Sequence, residues 1–421
     1  MQSSIKLRLT VMNFLQFAVW GAYLTSMGRY LGTAGFGSEI GNFYAMQGLV
    51  SLFMPALMGI VADRWIPAQR LLGLCHLLSG MLMLGVFNYT QTDAPSYPTL
   101  FALYSLSVAF YMPTLALSNS VAYTSLDQAG LDLVKSFPPI RVFGTVGFIC
   151  TMITVSLVGV EATSGQFAVS GIIGLVLAVY SQTLPNCPTA PKGQSKSLVE
   201  ALGLRAFVLF KQRKMALFFI FSMLLGVSLQ ITNGFANPFI STFGEIPAYA
   251  DTFGVKYANI LISLSQLSET LCILLIPFAL RRFGIRRVML IAMVAWVLRF
   301  ALLGLGNPGS GVWLFLLSMI VYGVAFDFFN VSGSLFVDKE TDPSIRSSAQ
   351  GLFMIMTNGI GATLGSLGAQ AVINHFVYSE HDTTAILAGW SMSWYVFAAY
   401  AAVVAVLFAL LFRYNTVTEA K

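Results

Sequence analysis

Two carboxylates, Glu269 and Asp327, lie in the middle of apolar runs, NILISLSQLSETLCILLIPFAL and VWLFLLSMIVYGVAFDFFNVSGSLF. An ionised acid at the centre of a membrane helix costs roughly 2.5–3.5 kcal/mol on insertion scales. Such residues persist where they face a bundle interior, pair with a neighbour, or handle ions and substrate. A buried acid that only bridges two helices is the plainer account. Here each acid sits in a polar stripe, which points to a proton-coupled carrier. In the second run Asn330 follows Asp327 by one turn, Phe326 and Phe328 flank it, and Tyr322 lies about one turn before. An acid kept from water takes up a proton more readily. Gln230, Asn233 and Asn237 recur at i, i+3 and i+7, one face of a helix, and Asn259, Ser263, Gln266 and Glu269 form a second stripe. Either face can line a cavity or glue helices together through amide hydrogen bonds. Arg141 follows Pro138 and Pro139, with Thr145 and Phe148 at i+4 and i+7; on position alone it is equally a snorkelling interfacial arginine. Arg299 in VAWVLRFALL is intramembrane as well, and its plain role is to balance an acid. Gln16, Trp20, Tyr23 and Asn119 either close the other wall of a cavity or pack helices.

The composition sets what must hold these groups. Of 421 residues 57% are apolar and 10% charged, against about 25% charged in soluble domains. With a mean hydropathy of +0.76 the chain cannot hide its apolar surface in one soluble core; it is a polytopic membrane protein. Lys6 and Arg8 precede an apolar run, but no small-residue cleavage site follows, so no cleavable signal peptide is expected. The 4 cysteines (Cys75, Cys150, Cys187, Cys272) stand singly and form no disulfide framework or metal spacing. Of 3 histidines, His375 and His381 fall in a polar loop, so no metal site is expected.

A spanning helix needs about 20 mostly apolar residues. Twelve such runs are marked out, at 8–29, 40–62, 71–90, 98–125, 140–160 and 166–184, then 214–236, 257–280, 288–305, 311–335, 346–375 and 386–412. The polar, basic segment 185–213, with Lys192 and Lys196, divides the chain into an N-terminal six-helix bundle, 1–184, and a C-terminal one, 214–421. Prolines Pro55, Pro113 and Pro277 are expected to interrupt the second, fourth and eighth spans. Nearly all lysines and arginines fall on the side of the N-terminus and the central segment, Lys421 included, and the opposite side keeps little beyond Arg29 and Lys256. By the positive-inside rule both termini are cytoplasmic, so the net charge of +6 reflects orientation and needs no nucleic-acid partner. The halves echo one another: GIVADRWIPAQRLL after the second span matches FALRRFGIRRVML after the eighth, and SFPPIRVFGTVGFI at the fifth matches DPSIRSSAQGLFMI at the eleventh. An internal six-helix repeat is the architecture of many secondary transporters, with the site near the midplane between halves.

Gly59-x-x-x-Asp63-Arg64, with Arg70 in the loop after the second span, resembles the major facilitator signature. Trp65-Ile66-Pro67-Ala68 replaces the usual glycine and second basic residue. In that family the motif is a cytoplasmic charge relay that steadies the outward-facing state; a positive-inside loop is the simpler account. More specific are FLQFAVWGAYLTSMGRY, FMPALMGIVADRW, YMPTLALSNSVAY, FPPIRVFGTVGF, FFIFSMLLGVSLQITN, AWVLRFALL, SMIVYGVAFDFFNVSGSLFV and SAQGLFMIMTNG. Over residues 6–413 the chain is similar to the nucleoside:proton symporters of Gram-negative bacteria.

That resemblance implies the twelve-helix major facilitator fold in two six-helix bundles. It implies a monomer in the bacterial inner membrane that takes up purine and pyrimidine nucleosides, with xanthosine a candidate. The proton is the coupling ion, and no cofactor is implied. It places substrate contacts at Gln230, Asn233, Gln266 and Glu269, in agreement with the helix faces, and turns Arg141 toward a cavity with Thr145 as donor and Phe148 as stacking partner. Tyr322 and Phe326 complete the expected contacts, and Gly59, Asp63, Arg64 and Arg70 the latch. Which of Glu269 and Asp327 carries the proton stays open; the reading favoured is Asp327 for the proton and Glu269 for substrate. A sugar or oligosaccharide symporter on the same fold is the alternative. A membrane enzyme lacks a nucleophile–base or metal constellation, and an uncoupled channel leaves both acids without a role.

Overall fold

The structure is a computed structural model that describes residues 2–189, 198–202, 204–343 and 345–414. Of the expected linker at 185–213, residues 190–197 and 203, with Lys192 and Lys196, lie outside the described residues, as does Lys421. Among the described residues all regular structure is helical. Ten helical stretches are long and apolar enough to cross a bilayer. One of them, Ala258–Leu305, has 48 residues, about 72 Å at 1.5 Å per residue, more than twice the bilayer's hydrocarbon thickness. It breaks at Gly284 (φ 74°, ψ 164°), a conformation that excludes most side chains, and so makes two helices.

With that break, and with the first helix counted, the twelve helices are as follows. α1 is Gln2–Gly21, followed by a turn and a short helix Met27–Thr33. α2 is Gly37–Arg64, α3 Ala68–Tyr89, α4 Tyr97–Gln128, α5 Lys135–Leu157 and α6 Gly165–Thr183. α7 is Arg213–Glu245, α8 258–283, α9 285–305, α10 Val312–Glu340, α11 Ser348–Tyr378 and α12 Thr383–Leu411. Local breaks fall inside several of them. α2 is interrupted between Ser51 and Met54, with Pro55 opening its second part. In α8 a tight turn at Ile273–Leu275 precedes Pro277. Pro113 differs from expectation: α4 runs through it without a break. Gln230 sits at the junction between Arg213–Leu229 and Ile231–Thr242 in α7. α11 carries two π-helical turns, Ile355–Gly361 and Asn374–Tyr378.

The chain forms two compact units, Met1–Phe36 with Met46–Leu202, and Gly37–Ala45 with Gly203–Lys421. In the first, α1 packs along α5, and α3 along α4 and α6, around a core that includes Leu72, Cys75, Val121 and Leu126. In the second, α7 packs along α11, α8 along α10, and α9 along α10 and α12. Its core centres on Phe218, whose ring lies 4.6 Å from that of Phe336 and 5.4 Å from that of Phe353. The start of α2 belongs to this second unit: Gln370 of α11 accepts from the Gly41 N–H (2.5 Å) and donates to the Gly37 carbonyl (3.0 Å).

The sequence repeat has a physical counterpart. A β-carbon at Gly147 of α5 would overlap the Phe14 carbonyl of α1, and one at Gly365 of α11 would overlap the Val227 carbonyl of α7. Small residues let membrane helices approach until backbone meets backbone, where dispersion and weak polar contacts replace the missing hydrophobic drive. The α1–α5 and α7–α11 pairs, equivalent in the repeat, use the same device. Gly147→Val and Gly365→Val are therefore expected to lower thermal stability and monodisperse yield in detergent through an overpacking cost of about 1–3 kcal/mol or more. Gly368→Ala, where a β-carbon meets only open space, is the control and should leave both unchanged.

Candidate functional site

In the second unit the candidate residues come from α7, α8, α9 and α10. At the α7 junction Asn233 Nδ2 donates to Gln230 Oε1 (2.7 Å), so these two amides form one pre-set donor–acceptor group. Asn237, on the same face, is fully buried and donates to Asn259 Oδ1 of α8 (3.1 Å). The amide stripe thus splits in use: its last member fastens α7 to α8, and the other two bond to each other. On α8, Gln266 and Glu269 are half-buried. One residue before Glu269, Ser268 donates to the Ile320 carbonyl of α10, and Gly323 lets the two backbones touch there. That contact brings Glu269 close enough to Asp327 for each charge to act on the other. Asp327 is only 5% exposed, and its Oδ2 has no hydrogen-bond partner.

Next to the acids is an aromatic group. Tyr322 and Phe326, one turn apart on α10, stack with centroids 5.6 Å apart and planes at 11°. Trp296 of α9 meets Tyr322 edge-on at 5.9 Å, a geometry that aromatic quadrupoles favour. Beside them is a small internal space lined by Trp296, Ala325, Phe326, Asn330, Thr357 and the α7 residues Leu225, Gly226 and Leu229. The indole N–H of Trp296 is buried without a partner.

Arg299 lies behind this group and is 2% exposed. The expectation that it balances an acid does not describe its contacts. One guanidinium nitrogen donates to the Ser318 carbonyl (2.8 Å) and to Ser265 Oγ (3.3 Å), its carbon sits 4.5 Å above the Tyr322 ring, and Nε makes no hydrogen bond. Tyr322 in turn feels the charges of Arg299, Glu269 and Asp327.

In the first unit, Arg141 is half-buried on α5 with its guanidinium 4.0 Å over the Phe17 ring, so its stacking partner is Phe17 of α1. Thr145 is half-buried and Phe148 buried on the same face. Phe148 meets Trp20 edge-on at 6.3 Å, and Trp20 lies 5.9 Å from Tyr111. Gln16 is spent on packing: its Oε1 accepts from His76 Nε2 (2.7 Å), its Nε2 donates to Thr114 Oγ1 (2.7 Å), and its carbonyl accepts from Tyr111 Oη (2.9 Å). Tyr23 is a core residue, its ring 6.2 Å from that of Tyr104, and Asn119 is half-buried. The sequence reading passed over His76; a lone histidine in the apolar run LLGLCHLLSG was the available signal. Trp296 and Thr357 were also missed, and nothing in the sequence singles them out. At the α2–α3 turn, Arg64 and Arg70 are exposed and Gly59 and Asp63 half-buried.

The family model described as nucleoside H+ symporter matches residues 3–417. The chain is 48% identical over 415 residues to the xanthosine permease of Escherichia coli K12, covering 98% of this chain and 97% of that protein. It is 45% identical over 417 residues to the nucleoside permease NupG of the same organism, with 98% and 97% covered. A crystal structure of the nucleoside transporter NupG superposes with a TM-score of 0.88 at 44% identity, covering 98% of this chain and 100% of that one. A peptide transporter of the POT family, 14% identical with a TM-score of 0.69, shares the fold alone. The fold is the major facilitator fold.

Arg299 yields a prediction with an unusual sign. Desolvating an arginine is costly, and replacing a buried charge by an apolar side chain of similar length is often neutral or stabilising. If Arg299 were scaffold, Arg299→Met would lower the melting temperature. The expected outcome is an unchanged or higher melting temperature with uptake reduced about tenfold. Parallel thermal unfolding and uptake assays in proteoliposomes check it.

Proposed function

This chain belongs to the nucleoside H+ symporter family, and from that membership we propose the following assignment of roles to its residues. The protein is a multi-pass membrane transporter, not an enzyme, that moves nucleosides together with protons. A sugar symporter on the same fold is not favoured. The finer reading places it as a monomer in the bacterial inner membrane with both termini cytoplasmic, taking up purine and pyrimidine nucleosides, xanthosine among them. Supporting that orientation, the two basic residues expected on the far side are each matched by an acid. Arg29 pairs with Glu161 (3.3 Å) and Lys256 with Asp251 (2.8 Å).

One observation carries the assignment: two acids, the charge of one acting on the other, share a single unit with an amide pair and an aromatic pair. A nucleoside presents ribose hydroxyls, base edges and a flat base. Amides and a carboxylate suit the first two, and the Tyr322–Phe326 stack suits the third. Gln230, Asn233, Gln266 and Glu269 take the hydrogen-bonding role. Asp327, the more buried acid and the one with an unpartnered oxygen, takes the proton, since a buried acid tolerates neutrality far better than charge. Glu269 senses the proton on Asp327 through their mutual charge, which links substrate binding to protonation. The set Gly59, Asp63, Arg64 and Arg70 acts as a conformational latch at the α2–α3 turn.

Asp327→Asn and Glu269→Gln separate the two roles while keeping volume. The first should abolish accumulation driven by a proton gradient and leave counterflow exchange. The second should raise the nucleoside dissociation constant roughly five- to a hundredfold, for a loss on the order of 1–3 kcal/mol in a desolvated site. Accumulation of labelled uridine or xanthosine by the Asp327→Asn protein in response to an imposed pH gradient would sink the coupling assignment.

The latch is tested by Asp63→Asn. It should change the transport rate and the labelling of cavity cysteines in a cysteine-depleted background, lowering apparent affinity only by the lost fraction of competent protein. Equal labelling and equal rates would reduce the motif to an ordinary basic loop.

A further inference from the structure

The turn between α8 and α9 gathers four arginines, Arg281, Arg282, Arg286 and Arg287, around the left-handed Gly284. Arg286 is spent: its Nε donates to the Phe412 carbonyl (2.6 Å) and an Nη to that of Ala409 (2.7 Å), which ties the turn to the end of α12. The exposed Arg413 follows Phe412 directly, so a fifth guanidinium joins the same corner of the unit. Arg281, Arg282 and Arg287 are exposed, and Arg281 reaches only the Pro277 carbonyl of its own helix (3.2 Å).

Among the described residues, no carboxylate pairs with Arg281, Arg282 or Arg287. The chain holds no Asp or Glu between Glu269 and Asp327, and none between Asp382 and Glu419. At the end of α10, Glu340 pairs with Lys214, and Asp338 with Arg346. The positive-inside rule accounts for the presence of arginines here. It does not account for what continues from them: Leu271, Leu274 or Leu275, and Phe278 precede Arg282 at helical spacing, and all four are exposed. A strip of outward-facing apolar side chains thus ends at a guanidinium cluster. A soluble anion would use the cluster alone, whereas a lipid uses the cluster and the strip together.

We propose that this corner is a binding site for an anionic phospholipid, with the headgroup phosphate among Arg281, Arg282 and Arg287 and an acyl chain along Leu274 and Phe278. Guanidinium forks suit phosphate oxygens, and basic clusters at the membrane edge recognise anionic headgroups through both charge and depth. Because Arg286 fixes the turn to α12, an occupant here clasps α8, α9 and α12 of the second unit.

The test uses the purified full-length protein. Native mass spectrometry and thermal unfolding are followed while phosphatidylglycerol or phosphatidylcholine is titrated into detergent. Wild type should retain phosphatidylglycerol and gain thermal stability from it, and should do neither with phosphatidylcholine. Removing two arginines in R282Q/R287Q should weaken phosphatidylglycerol binding about 25-fold, at about fivefold per charge. The variant K6Q/K135Q, which removes two exposed charges of the first unit, should bind as wild type does. For wild type, rising sodium chloride should weaken the phosphatidylglycerol effect, so the proposal stays falsifiable even if the arginine variant fails to fold. Equal retention of both lipids, salt-independent binding, or equal weakening in both double variants would overturn it. An equal gain from soluble glycerol 3-phosphate would overturn it in favour of a soluble-anion site.

Discussion

Inside a bilayer there is no water to finish a hydrogen bond, and this one constraint orders most of the structure. A polar side chain there is either spent on holding helices together or left for function, since an unpaired polar group costs several kcal/mol, roughly, in an apolar medium. Gln16, His76, Asn237, Asn259, Ser268 and Ser318 are spent: each is hydrogen-bonded to a neighbouring helix. Asp327 Oδ2, Arg299 Nε and the Trp296 indole N–H are buried and unpartnered, and all three belong to α9 and α10.

The same constraint explains why the scaffold repeats and the chemistry does not. Close helix contact without a hydrophobic drive depends on glycine, and both units place it at the equivalent pair, Gly147 against α1 and Gly365 against α7. On that shared frame the units diverge. The first presents Arg141, Thr145 and an aromatic set of Phe17, Trp20, Tyr111 and Phe148. The second holds both acids. Within that unit, local contacts such as Ser268 to Ile320 hold α8, which carries Glu269, against α10, which carries Asp327.

The membrane spans were legible because length and hydropathy leave little choice: a run of about 20 apolar residues must cross. Glu269, Asp327, Gln230 and Gln266 were legible for the converse reason, as polar residues where polarity is costly. What the one-dimensional pattern could not carry was rotation and partner. Gln230, Asn233 and Asn237 share a face, yet only the last is taken up by a neighbouring helix, because only there does α8 present Asn259. Pro113 reads as a breaker, yet α4 continues through it, whereas Pro55 and Pro277 open new helical segments. Periodicity records which residues share a face and is silent on what that face meets. The same blindness hid His76, whose role rests on Gln16, 60 residues away in sequence.

Arg299 shows how such a site can hold charge without freezing it. A direct ion pair with Glu269 or Asp327 would stabilise the ionised acid so strongly that protonation would require breaking a buried salt bridge, several kcal/mol by typical estimates. An acid locked in that way cannot cycle a proton. The guanidinium instead spends its favourable contacts on a carbonyl, a hydroxyl and a ring face. Cation–π contact supplies about 2 kcal/mol in a desolvated setting, enough to fix the ring's orientation and too little to commit either carboxylate. The contacts that hold Arg299 thus satisfy it without drawing either carboxylate into its hydrogen bonds.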